Sequence, residues 1–233
     1  MCNKLVFVLV FTMTMVVGSI PASAQIDTDD PSLPPLDGVY LHPGNVHVLF
    51  SGPTLDLILE RPEHKAILVE LRDRLPQPGP VGEMETFIST LDGGAQVCPP
   101  GTGAGGCGPA IPFTLQGPVV THVFGKGPTD TTGSWDTEMV SMSLTGNVGG
   151  NPVMIRESPT LPSLGHTSVT DIGGGQFRID SFFDVFTELS VDGGSSWIAS
   201  AGSTHMRLVP EPSSLLIIGI GCLGLLGLGR RRR

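Results

Sequence analysis

The sequence predicts an all-β fold, an antiparallel sandwich-like domain of about ten to twelve short strands. Three observations point there. Apolar and polar side chains alternate with period two in several segments: Phe183, Val185 and Leu189 fall on one face, and Phe182, Asp184, Phe186 and Glu188 on the other. Chain breakers are dense, with 32 glycines and 21 prolines in 233 residues, and their spacing suits short strands joined by tight turns. The stretch Ser190-Val-Asp192-Gly-Gly194-Ser-Ser-Trp197 reads as a hairpin turn, because Asp-Gly tolerates the positive φ that such turns require.

From the N-terminus, residues 1–24 read as a secretory signal peptide. Lys4 supplies the positive start and residues 5–17 an apolar run too short to span a bilayer. Ala22-Ser23-Ala24 supplies the small-residue site, with cleavage between Ala24 and Gln25. Residues 25–37, QIDTDDPSLPPLD, are acidic and proline-rich and read as a flexible leader. The extracytoplasmic β domain follows over 38–209. Its candidate strands are 46–50, 55–60, 85–91, 111–115, 119–124, 137–144, 153–157, 167–171, 176–179, 182–190, 197–199 and 205–209. In 137–144, Val140, Met142 and Leu144 share one face, and Met139, Ser141 and Ser143 the other. Residues 62–75 read two ways. Ile67, Leu68, Leu71 and Leu75 form a helical stripe, with Pro62 in the first turn and Glu70 four residues before Arg74. Ile67, Val69 and Leu71 also alternate as in a strand.

The body between the two ends is acidic. All 22 acidic residues fall within 25–212 against eight basic ones, a formal charge of −14 where the whole chain has −9. Such a surface repels nucleic acid. Cys98 and Cys107 bound the loop CPPGTGAGGC, and in an exported protein that pair is expected to form a disulfide. His42, His47, His64, His122, His166 and His205 make no zinc motif, and Asp27, Asp29 and Asp30 lack the spacing of a calcium loop. No metal and no cofactor is expected. No G-x-S-x-G elbow occurs. Asp180, Asp184 and Glu188 are the carboxylates that could pair as acid and base, but Asp184 and Glu188 share one strand face and read as solvent-side charges. Ser190, Asp192, Gly194 and Trp197 match the Asp-box pattern S-x-D-x-G-x-x-W. A sialidase-like propeller needs several such copies at blade spacing, so the single full copy reads as one structural hairpin. Trp135 and Trp197 are the candidates for stacking on a sugar.

The last segment, PEPSSLLIIGIGCLGLLGLGRRRR, contains GIGCLG, a formal G-x-G-x-x-G. No βαβ unit has room to follow it, which excludes a dinucleotide loop. Residues 213–229 carry no charge and suit a single transmembrane helix. Arg230, Arg231, Arg232 and Arg233 then act as a stop that keeps this end on the cytoplasmic side. Pro210, Glu211 and Pro212, the apolar run and the arginine cluster, in that order, resemble the PEP-CTERM sorting signal over the last twenty-four residues. The resemblance implies transient inner-membrane anchoring with the body outside. It implies recognition of Pro-Glu-Pro by an exosortase that removes the helix, after export through the general secretion machinery and signal peptidase. The runs GSWDTEMVSMSLTG, IRESPT and IDSFFDVFTELSVDGGSSW also make residues 84–209 similar to a β module of no assigned activity that recurs in such exported proteins. The expected role is structural or adhesive, at the cell surface or in the extracellular matrix, without catalysis and with extracellular polysaccharide as partner. The alternatives are a carbohydrate-binding module of that matrix and a secreted glycan-active enzyme using two carboxylates.

Overall fold

The computed structural model describes residues 25–42, 47–53, 55–74, 81–102 and 106–211. The signal peptide with Ala24, the predicted span 213–229, Pro212 and Arg230 to Arg233 lie outside the described residues. Within them every regular element is a strand. In order these are β1 (Gln25–Thr28), β2 (Gly38–Leu41), β3 (His47–Ser51), β4 (Asp56–Arg74), β5 (Gly82–Cys98), β6 (Ile111–Phe124), β7 (Gly133–Val148), β8 (Asn151–Glu157), β9 (Ser163–Gly173), β10 (Gln176–Val185), β11 (Thr187–Ser190), β12 (Ile198–Ala199) and β13 (Thr204–Pro210).

The sandwich expected from the sequence is overturned by a closed barrel. Eight strands pair in a ring, β2–β4–β5–β6–β7–β9–β10–β13 and back to β2, each pair antiparallel. The reason lies in strand length. β4 to β7 run for 19, 17, 14 and 16 residues, and strand twist accumulated over such lengths coils a sheet until its edges meet. Closure leaves no free edge in the ring. The long strands also continue beyond it. Residues 56–60 of β4 pair with β3, and residues 143–148 of β7 pair with β8. β8 then pairs with β11, and β11 with β12. A bridge from Phe50 to Ser200 brings this second circuit back to β3.

Breakers mark the seam between the two circuits. Arg61 adopts φ 47° beside Pro62, where the β4–β5 register slips between Glu60 and Glu63. β5 carries Gly93-Gly94 opposite that slip, and β6 carries Gly117-Pro118 between its pairs to Thr145 and Met142 of β7. β7 changes partner from β9 to β8 between Met139 and Ser143. There Val140 and Ser141 both face outward, and Met139 and Met142 are both buried. The simple alternation read for this segment is therefore broken by a bulge.

The helix considered over 62–75 is not formed over 62–74, and Leu75 lies outside the described residues. Residues 62–67 show period-two burial, with Pro62, His64 and Ala66 inside and Ile67 exposed. Ladders on both sides, to β2 and β5, outweigh the modest helical preference of the stretch. The acidic leader, expected to be flexible, begins as β1 paired to β10. Leu33 then turns inward and is 3 % exposed. Phe50, Leu115, Leu144, Ile155 and Leu189 fill the second circuit, and Val119, Ile179 and Leu208 the first, all at 0–1 % exposure. Each such side chain contributes about 1.5–3 kcal/mol by leaving water.

Candidate functional site

The predicted sorting residues begin where the barrel ends. β13 pairs with β2 through Arg207–Leu41, Leu208–Tyr40, Val209–Val39 and Pro210–Gly38. Leu208 and Val209 are buried, so the ladder is anchored up to the residue before the motif. Gly38 fits the last rung closely: a Cβ there would lie 3.1 Å from the Val209 carbonyl oxygen and 2.7 Å from Leu208 Cδ1. No linker separates Pro210 from the barrel. Glu211 follows, and its Oε1 sits 2.5 Å from Lys65 Nζ, with both side chains about one-third exposed. Lys65 belongs to β4, on the far side of β2 from β13. The motif's carboxylate thus reaches across one strand to a cation of the folded body.

The barrel interior carries polar groups but little space. Tyr40 donates to Ser181 Oγ at 3.0 Å, and the Ser181 and Thr167 hydroxyls lie 2.7 Å apart. His64 Nε2 and Ser89 Oγ are 2.7 Å apart, and Thr121 donates to Glu85 Oε2 at 3.1 Å. Burial holds the Tyr40 phenol far above its usual range, a shift opposed by the Ser181 hydrogen bond and reinforced by the Glu85 carboxylate. Burial lowers the His64 imidazole to about 4. Two cavities, of about 30 and 40 Å³, share His64, Met139, Val185 and Met206. Each has room for only a few waters, far below the several hundred Å³ of a small-molecule site.

A family model for the PEP-CTERM protein-sorting motif matches residues 208–233. The chain carries a PEP-CTERM sorting signal. It is therefore an exported, membrane-transiting protein and an exosortase substrate. The match starts at Leu208, inside β13, so the PEP-CTERM segment and the barrel share three strand residues. Comparison with curated proteins and with solved structures gives no match.

The structure distributes the other predicted site residues around this PEP-CTERM body without gathering them into a cleft. Asp180 and Glu188 face Arg207 at 4.0 Å and Arg156 at 2.6 Å, and Asp184 Oδ1 lies 2.8 Å from His205 Nδ1. Sequence reading missed Glu157, whose carboxyl is raised to about 7 by burial and by the neighbouring Glu138 and Glu188, against a Ser163 hydrogen bond. It also missed the buried pair Glu83–Lys126 and Lys65. Nothing local marks these residues, because strand register alone assembles their surroundings.

The Asp box forms a hairpin turn between β11 and β12. Ser190 Oγ donates to Asp192 Oδ1 at 2.8 Å and accepts from the Gly194 amide at 2.8 Å. The Ser196 hydroxyl and amide donate to the Asp192 carboxylate at 2.5 and 2.9 Å, and these bonds lower its pKa to about 2. Gly193 and Gly194 take φ 72° and 89°, which glycine adopts without a Cβ penalty. Trp197 donates to the Gly194 carbonyl at 3.1 Å, and Arg156 lies 3.9 Å from its ring centroid. Trp135, considered as a stacking platform, is 9 % exposed and belongs to the core.

Cys98 and Cys107 are joined by a disulfide across the β5–β6 connection. Replacing both by serine is expected to lower stability by about 2–3 kcal/mol, the loop-closure entropy of so short a ring. Urea unfolding of the variant, with thiol titration of the unreduced parent giving no reactive body thiol, checks this. Equal midpoints for variant and parent would remove the disulfide from the stability of the barrel.

Proposed function

We propose that this exported barrel is a structural or adhesive component of the cell surface or extracellular matrix, without chemistry of its own. The observation that carries the reading is the joining of a sorting signal directly to a filled, closed barrel. The acidic body and its ion-paired carboxylates support it. A carbohydrate-binding role has less support. Trp135 is in the core, Trp197 is covered by Arg156, and a surface concavity of about 330 Å³ is lined by Glu60, Arg61, Glu63, Asp92, Gly93 and Gly94 without an aromatic. A glycan-active enzyme would need two carboxylates facing a cleft at a defined separation, and the three candidates are instead engaged by Arg207, His205 and Arg156.

Deleting the gene in the native host tests the proposal. The expected result is a surface or matrix that loses cohesion, with the processed protein recovered from that fraction of the wild type. An unchanged matrix, or a purified body that hydrolyses host polysaccharide, would overturn it.

A further inference from the structure

We infer that Lys65 is a positioning residue for the sorting reaction, holding the PEP-CTERM motif against the folded barrel so that the motif must detach before exosortase takes it. The inference rests on the reading of residues 208–233 as an exosortase-processed signal.

Three observations carry it. First, the motif begins on a ladder rung: Pro210 pairs with Gly38, and the two preceding residues are buried. Peeling cannot extend inward to Val209 without exposing core. Second, Pro210 is the last residue of the β13 ladder, so detachment starts at that end. Third, the Glu211 carboxylate forms an ion pair with Lys65 that spans β2. A processing enzyme that reads an extended Pro-Glu-Pro needs the glutamate free of the body. The Lys65 ammonium competes for that same carboxylate. The folded barrel therefore sets how available its own signal is, and it does so with a residue distant in sequence from the motif.

The size of the effect follows from the exposure of the pair. A partly exposed ion pair shifts an equilibrium by at most about five-fold. The test uses the full-length precursor produced together with exosortase, followed by pulse-chase of its conversion to the processed form. Lys65→Ala is expected to shorten the conversion half-time by about two- to five-fold, and Lys65→Arg, which keeps the cation, to leave it unchanged. Amide exchange of the full chain in detergent micelles gives a readout that needs no exosortase. There Lys65→Ala is expected to speed exchange at the Glu211 amide while residues 204–209 stay protected. An unchanged or lengthened half-time in Lys65→Ala, or unchanged exchange at Glu211, would overturn the inference. A wild-type chain that keeps residues 213–233 in its intact mass beside active exosortase would overturn the processing reading itself, and this inference with it.

Discussion

Replacing Gly117 by alanine is expected to destabilise the protein by about 3 kcal/mol or more, the upper range for overpacking a filled interior. Gly117 lies in β6 at the seam, where the β6–β7 ladder stops between the Gln116–Thr145 and Val119–Met142 pairs. A Cβ there would run into the Ser143 carbonyl oxygen, and would sit 3.0 Å from the Ser143 carbonyl carbon and 3.2 Å from Leu144 Cα. All three are backbone atoms. No flexible side-chain end can swing aside, so a strand must move, and β7 at this point is already exchanging β9 for β8. Gly202→Ala is the control, because nothing lies within 4 Å of its added Cβ. Urea unfolding should place the Gly117→Ala midpoint well below those of the parent and Gly202→Ala. Coincident midpoints for the two variants would mean that β6 and β7 do not approach this closely at the seam.

The same seam explains how much of the fold could be read. The class was legible, because period-two burial persists in β10, where Phe183 and Val185 are inside and Phe182 and Asp184 half-exposed. Strand length was not. Gly117-Pro118 separates two candidate strands in the sequence, yet β6 runs through it, still paired to β5 at Gly117–Ser89 and Pro118–Ile88. Arg61-Pro62 likewise interrupts the pattern in the middle of β4. Glycine and proline signal a turn or a bend equally well, and only the partner strand decides which. Reading bends as turns shortens four strands by half, and short strands suggest a sandwich where long ones close a barrel. The helix considered over 62–75 fails for a related reason: its stripe put Ile67 inward, whereas the pairing of β4 leaves it exposed. At the candidate site, Pro210 and Glu211 were legible because the signal is a linear string. Lys65 was not, since only the order β13–β2–β4 brings it to Glu211.

Acid is expected to weaken the barrel through His64. The imidazole is buried beside Ser89, and burial holds its pKa at about 4 in the folded state against about 6.5 unfolded. The depressed value fixes the sign. Between these two values the unfolded chain binds more protons, so stability is complete above pH 6.5 and falls as pH drops towards 4. At about 1.4 kcal/mol per pH unit the gap corresponds to about 3 kcal/mol. His122, also lowered by burial, adds in the same direction. Glu157 opposes them. Its carboxyl is raised to about 7 from the usual 4.5, so its contribution is present below 4.5 and lost as pH rises through 7. Glu157 is only half-buried, and solvent screening makes it the smaller effect. The measurement is therefore best made in a Glu157→Gln background, comparing urea stability from pH 4 to 8 with and without His64→Gln, which retains a hydrogen-bonding group for Ser89. The His64 parent should lose stability steeply below pH 6.5, and the His64→Gln variant should follow a flatter line. Parallel profiles would show that His64 is not buried in its neutral form, and that the polar interior of the barrel is open to water.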